Sequence, residues 1–164
     1  MTKEAFLNIS QWRNDNLLEG SVYSPFLDHE IVISIGFYQS KDNKELSDFA
    51  IRSINEFLRL DKSDFHWIKT ELWRRCDVTF QNASYGLNGV PRKEGQSEYE
   101  ANKDFFVIHN QEDAFKKSKG KYLFIDNDNA GQSETCFWLE YETPWDREHN
   151  TIFIFRNGKQ YSVE

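Results

Sequence analysis

Between residues 144 and 149 the chain reads Pro144-Trp145-Asp146-Arg147-Glu148-His149, which brings an indole, two carboxylates, a guanidinium and an imidazole into five consecutive residues. Such a set suits two kinds of chemistry. Glu148 and His149 are a possible general acid/base pair, and Asp146, Glu148 and His149 are possible ligands for a metal if His29 or His109 approaches from elsewhere. Both uses meet an obstacle in the spacing. Adjacent residues of an extended segment point apart, no nucleophile is marked nearby, and there is no second cluster with ligand spacing. The expectation is therefore a structural or partner-binding corner, with no catalytic residue, no metal and no cofactor. The alternative is a small hydrolase or metal-dependent enzyme built on Asp146, Glu148 and His149.

The other chemistry-bearing residues are scattered. Cys76 falls in a predicted helix and Cys136 in a predicted strand, without paired metal-binding spacing, so both are expected as buried thiols of a reducing compartment. Gly86-Leu87-Asn88-Gly89 lacks the Lys-Ser or Lys-Thr ending and the following helix of a phosphate loop. Asp126, Asp128 and Gly131 occupy the first, third and sixth positions of a calcium-type loop, yet Ala130 and Phe137 stand where oxygen ligands are required. A polar β-turn is expected there instead. His66, beside Trp67 on a predicted helix, reads as a surface or half-buried residue rather than a catalyst.

The elements that must carry the corner are legible on both sides of it. Over 135–143 the alternation sets Phe137, Leu139 and Tyr141 on a core face and Trp138, Glu140 and Glu142 on the other. After the corner comes a two-stranded ribbon closed by Asn157-Gly158, two residues that reach the positive φ of a type I′ turn at low cost. Residues 31–38 are β-branched and aromatic, with Ile31, Ile33, Ile35 and Phe37 on one face, and predict a central strand. Residues 21–27, interrupted by Pro25, predict an edge strand or bulged approach.

Apolar residues three and four apart predict a helix over 44–60 and a second over 62–79, the latter capped by Asp61 or Ser63 and striped by Phe65, Ile68, Leu72 and Cys76. A long irregular loop is expected over 81–103, a short strand over 104–109, a brief helix from 110 stopped by the lysine cluster and Gly120, and a strand over 122–125. The first 20 residues read as a short helix or ordered arm. The expected architecture is a single α+β domain over 1–164, with a mostly antiparallel sheet, two main helices packed on one face and a C-terminal β-hairpin.

Charge narrows the choice of partner. With 27 acidic against 20 basic residues the net charge is −7, which disfavours nucleic acid, where neutralisation of phosphates supplies much of the affinity. No apolar run approaches the length of a membrane span or a leader core, and a cytoplasmic location is expected. A protein partner with a basic cleft fits the charge better. The aromatic content, 14 Phe, 7 Tyr and 5 Trp, exceeds what a core alone calls for, so some rings are expected as surface anchors. The predicted contact residues are Glu140, Glu142, Asp126 and Asp128 as carboxylates and Trp138 and Tyr99 as anchors.

A hydrophobic strand followed by Trp145-Asp146-x-Glu148-His149 and then a strand and turn resembles a group of uncharacterised bacterial domains, in which this corner is normally followed by glycine. Asn150 stands in the place of the glycine and tolerates the left-handed backbone that such a glycine suggests. Small acidic domains of this kind are similar to the immunity proteins of bacterial polymorphic-toxin systems. That likeness implies a chain that binds and neutralises a cognate toxin domain and is not an enzyme.

Overall fold

The computed structural model describes residues 1–38, 44–82, 90–129 and 131–164. The glycine-bearing stretch 86–89 and Ala130 lie outside the described residues. Among those described, the elements in chain order are α1 (Lys3–Ile9), β1 (Ser10–Asn14), β2 (Leu17–Ser24), β3 (His29–Gly36), α2 (Asp48–Leu58), α3 (Asp64–Gln81), α4 (Glu98–Phe106), α5 (Gln111–Lys117), β4 (Lys119–Asp126), a 3-10 turn (Asn127–Asn129), β5 (Cys136–Thr143), β6 (Asp146–Arg156) and β7 (Lys159–Val163). The class is α+β with a mostly antiparallel sheet, as the patterning predicts. No helix among the described residues is long and apolar enough to cross a membrane.

The seven strands lie side by side in sequence order. β1–β2, β2–β3 and β6–β7 pair antiparallel, whereas β3–β4 pair parallel. A parallel pair needs a long crossover, and here the chain between Gly36 and Lys119 includes α2 to α5. The two outer strands are both blunted. Arg13 is an extra residue in β1 opposite Leu17 and Leu18, and Tyr161 is an extra residue in β7 opposite Ile154 and Phe155. Such bulges, with Arg13 and Lys159 beside them, discourage pairing with a further strand.

The chain divides into two compact units, and β5 and β6 contribute residues to both. The first comprises Met1–Lys62, Gly120–Glu140 and Ile152–Glu164. Its core is one face of the sheet: Leu18, Ile31, Ile33, Ile35, Leu123, Ile125, Phe137, Leu139, Phe153 and Phe155 are all buried. α1 and α2 cover that face. Phe6 of α1 lies against Gly20, where an added Cβ would meet its ring at 3.1 Å, and Phe57 of α2 meets Phe137 edge-on at 5.9 Å between centroids. Phe137 in turn stacks on Phe155 at 4.9 Å. Ser47 caps α2 by accepting the Ala50 amide, and the Asn55 side chain ties α2 to the backbone and amino group of Met1.

The second unit comprises Ser63–Lys119 and Tyr141–Thr151. Ile68, Leu72, Cys76 and Phe80 form the buried stripe of α3, which extends the predicted stripe by one turn. Burial pushes the Cys76 thiol well above its ordinary ionisation range, with the charge of Asp77 adding to the effect. α5 packs on α3 through Phe65 and Phe115, 5.1 Å apart, and through the Lys69–Glu112 ion pair at 2.6 Å. α4 meets α3 through stacked Phe80 and Phe106, and buried Asn102 donates to the Phe80 carbonyl at 3.3 Å.

Four expectations need correcting. Residues 98–106 of the expected loop and strand form α4, started by a capping box in which the Ser97 hydroxyl accepts the Glu100 amide and the Glu100 carboxylate accepts the Ser97 amide. Residues 10–24 form a β1–β2 hairpin around Asp15-Asn16, so 21–27 is no edge strand, and Pro25 lies in the turn after β2. Gly120 belongs to β4, and Ser118 ends α5. Asn150 lies within β6 and is absent from the non-glycine residues of positive φ, which among those described are Asp28, Val107 and Asn157.

Candidate partner-binding surface

Alternation along β3, β4, β5 and β6 leaves one face of the first unit opposite α1 and α2. In β4 and β5 the residues on it are Tyr122, Phe124, Asp126, Cys136, Trp138 and Glu140, each half-buried or exposed. Across it runs a row of rings. Tyr38 lies 6.3 Å from Phe124 and Phe124 lies 5.1 Å from Trp138, both pairs tilted by about a third of a right angle. Tyr38 is 54 % exposed and Trp138 39 %, so the row stays open to solvent despite its apolar area.

Local backbone chemistry places these rings. Gly36 ends β3 on the same side of the sheet, and a Cβ there would come within 2.5 Å of the Tyr38 ring and 2.9 Å of the Phe124 ring. The missing side chain is the space that the pair occupies. Tyr38 is held next to it because its amide donates to the Asp128 carboxylate at 2.7 Å, while the Asp128 amide donates to Asp126 at 3.0 Å. Buried Asn127 adds a clamp: its side chain accepts the Ser47 amide at 2.9 Å and donates to the Glu45 carbonyl at 3.2 Å. The polar turn expected after β4 therefore fixes the N-terminal end of α2 and the end of the ring row.

Beside Trp138 the face deepens into a groove of about 330 Å³ whose walls include Phe124, Asp126, Glu134, Cys136, Ile154, Arg156, Tyr161 and Glu164. Arg156 sits over Tyr161, its guanidinium carbon 3.8 Å from the ring centroid. Cys136, expected as a buried thiol, is only half-buried, yet desolvation still raises it above its ordinary range against the opposing pull of the Arg156 charge. The thiol is thereby kept protonated, as a packing group. The predicted Asn157-Gly158 turn closes the β6–β7 ribbon with φ of 51° and 66° and anchors it, because Asn157 exchanges two hydrogen bonds of 3.0 Å with Thr135. Through these bonds the turn sets the start of β5 and hence the position of Cys136 and Trp138.

The six predicted contact residues do not form one demonstrated surface. Asp126 and Trp138 line the groove, and Glu140 shares the face of Trp138 in β5. Asp128 holds the Tyr38 backbone. Glu142, exposed, belongs to the second unit, as does Tyr99, whose hydroxyl donates to Asp77 at 2.5 Å while Lys103 sits 5.0 Å over its ring. The bond to Asp77 is the main reason that the Tyr99 phenol is pushed up to about 12. Tyr38, Phe124, Arg156 and Tyr161 were missed by sequence reasoning. The pattern puts Phe124 on the outward side of its strand, but only the parallel pairing of β3 with β4 brings Tyr38 beside it.

The corner residues are placed by the start of β6. Trp145 is 2 % exposed and, with Pro144, makes the tight β5–β6 turn, so the segment from Asp146 onward is strand and not loop. One carboxylate oxygen of Asp146 accepts the amides of Glu148 at 3.2 Å and His149 at 3.0 Å, and the exposed His149 ring nitrogen lies 3.4 Å from it. This use of Asp146 is that of a backbone organiser at a strand entry. Among the described residues no three His, Cys, Asp or Glu side chains gather where they could hold one metal ion.

The family model described as "Domain of unknown function (DUF6985)" matches residues 3–164, and the chain belongs to that family. No curated protein and no solved structure matches it.

Proposed function

We propose that this chain is an immunity-type protein that binds and neutralises a cognate bacterial toxin domain, in the cytoplasm, through the open sheet face of its first unit. The observation that carries the reading is the solvent-open row of Tyr38, Phe124 and Trp138, held in register by Gly36 and the Asp126–Asp128 turn. Exposed large rings on a rigid strand framework are the side chains that most often dominate protein-protein affinity. A net charge of −7, with Asp126 and Glu140 beside the row, suits a partner with a basic cleft. The corner supports the same reading, because Asp146 is engaged with backbone amides and Trp145 is buried, which leaves both to structure.

The test is co-expression with a toxin domain encoded beside the gene. The chain should restore growth, and Trp138→Ala or Tyr38→Ala should abolish the rescue while the variants remain folded by circular dichroism. Rescue that survives both substitutions overturns the assignment of the face. Absence of any rescue, with release of a small-molecule product by the purified chain, overturns the binding function itself.

A further inference from the structure

The groove beside Trp138 has a composition that the ring row alone does not explain. Asp126, Glu134 and Glu164 line it against the single basic residue Arg156, whose guanidinium carbon already lies 3.8 Å from the centroid of the Tyr161 ring. Acidic groups therefore outnumber basic ones at a place where the indole of Trp138 and the ring of Phe124 also line the wall. Cationic side chains gain from both neighbours at once, from the π-face by the ring quadrupole and from the carboxylate by charge. Of the two common cations, the guanidinium fits better. It is planar, more weakly hydrated than an ammonium, and able to lie along a ring while its N–H fork meets a carboxylate.

The geometry points to a specific occupant: we infer that the groove receives an arginine side chain presented by a basic segment of the partner protein. The inference rests on the proposed binding function and adds to it the chemical identity of one anchoring contact. Within the chain, Arg156 over Tyr161 is already a guanidinium–ring contact, at 3.8 Å.

The experiment uses the full chain, labelled with 15N, and titrates it with acetyl-Gly-Arg-Gly-amide, with the citrulline, lysine and glutamate counterparts as controls. The indole N–H resonance of Trp138 is assigned from Trp138→Phe. The arginine peptide should shift that resonance in a saturable way. The citrulline peptide, isosteric but neutral, should bind about tenfold more weakly, and Asp126→Asn with Glu134→Gln should weaken the arginine peptide to a similar extent. The lysine peptide should bind, but less well than arginine. Equal binding of arginine and citrulline, preferred binding of the glutamate peptide at Arg156, or no shift at all overturns the inference, and the citrulline comparison needs no variant to fold. Failure here is separable from failure of the wider reading. A toxin domain that loses affinity for Trp138→Ala but not for Asp126→Asn with Glu134→Gln leaves the face in place and removes the arginine.

Discussion

Among the described residues, Val107 is the β-branched one held at positive φ. It caps α4 with φ 54° and ψ 51°, a left-handed conformation that its β-branched side chain opposes, and at 57 % exposed it gains little burial in exchange. The strain is about 1–2 kcal/mol, whereas glycine would forfeit roughly 0.5–1 kcal/mol through its freer unfolded chain. Val107→Gly should therefore raise unfolding stability by up to about 1.5 kcal/mol, read from urea melts. Gly36 is the opposite case, a glycine whose missing Cβ matters. Gly36→Ala should displace the Tyr38 and Phe124 rings and weaken toxin-domain binding about tenfold, with the melting temperature little changed. Loss of stability without loss of affinity would show that the ring row is only packing.

At the scale of elements, α4 stands on its first turn. Ser97→Ala removes the hydroxyl that accepts the Glu100 amide and should cost about 1 kcal/mol in the same melts. Its partner in the box gives a pH signature. The backbone amide of Ser97, then its hydroxyl, hold the Glu100 carboxyl below its ordinary range, so the contribution is whole above that range and is lost as pH falls through the depressed value. Glu112, lowered first by its bond from Lys69, acts in the same direction on the α3–α5 contact. Protection factors of the α4 amides, taken against the intrinsic exchange rate at each pH, should fall as the solution is acidified, and Glu100→Gln should flatten that dependence.

The same helix shows where the sequence was hard to read. Phe105-Phe106-Val107-Ile108 has the composition of a strand, and only the Ser97-x-x-Glu100 spacing argues for a helix start upstream of it. Where one signal stands alone the reading succeeds: the Asn157-Gly158 turn, the alternation of β5 and the stripe of α2 all appear as patterned. The candidate site was half legible for a related reason. Trp138 is outward by local alternation, but its neighbours come from β4, β6 and β7, and pairing between distant strands leaves no short-range mark.

For the molecule as a whole, the net charge of −7 acts before any contact forms. Charge steering operates over roughly 10 Å at 0.1 M salt, so it speeds encounter more than it holds the complex. Raising salt from about 0.05 to about 0.5 M should slow association with a basic toxin domain severalfold and change dissociation by less than about twofold, measured by stopped flow. Equal effects on both rates would mean that the charges are buried in the contact. The blunted outer strands have a further consequence. Main-chain pairing accepts almost any extended segment, and the bulges at Arg13 and Tyr161 close that generic route. On the proposed function a partner is then distinguished by rings and carboxylates, of which Trp138 and Glu140 lie outside the Asp126–Asp128 turn that holds the backbone. On the proposed binding function, exchanging a few of those side chains would change which partner is bound while most of the folding information stays intact.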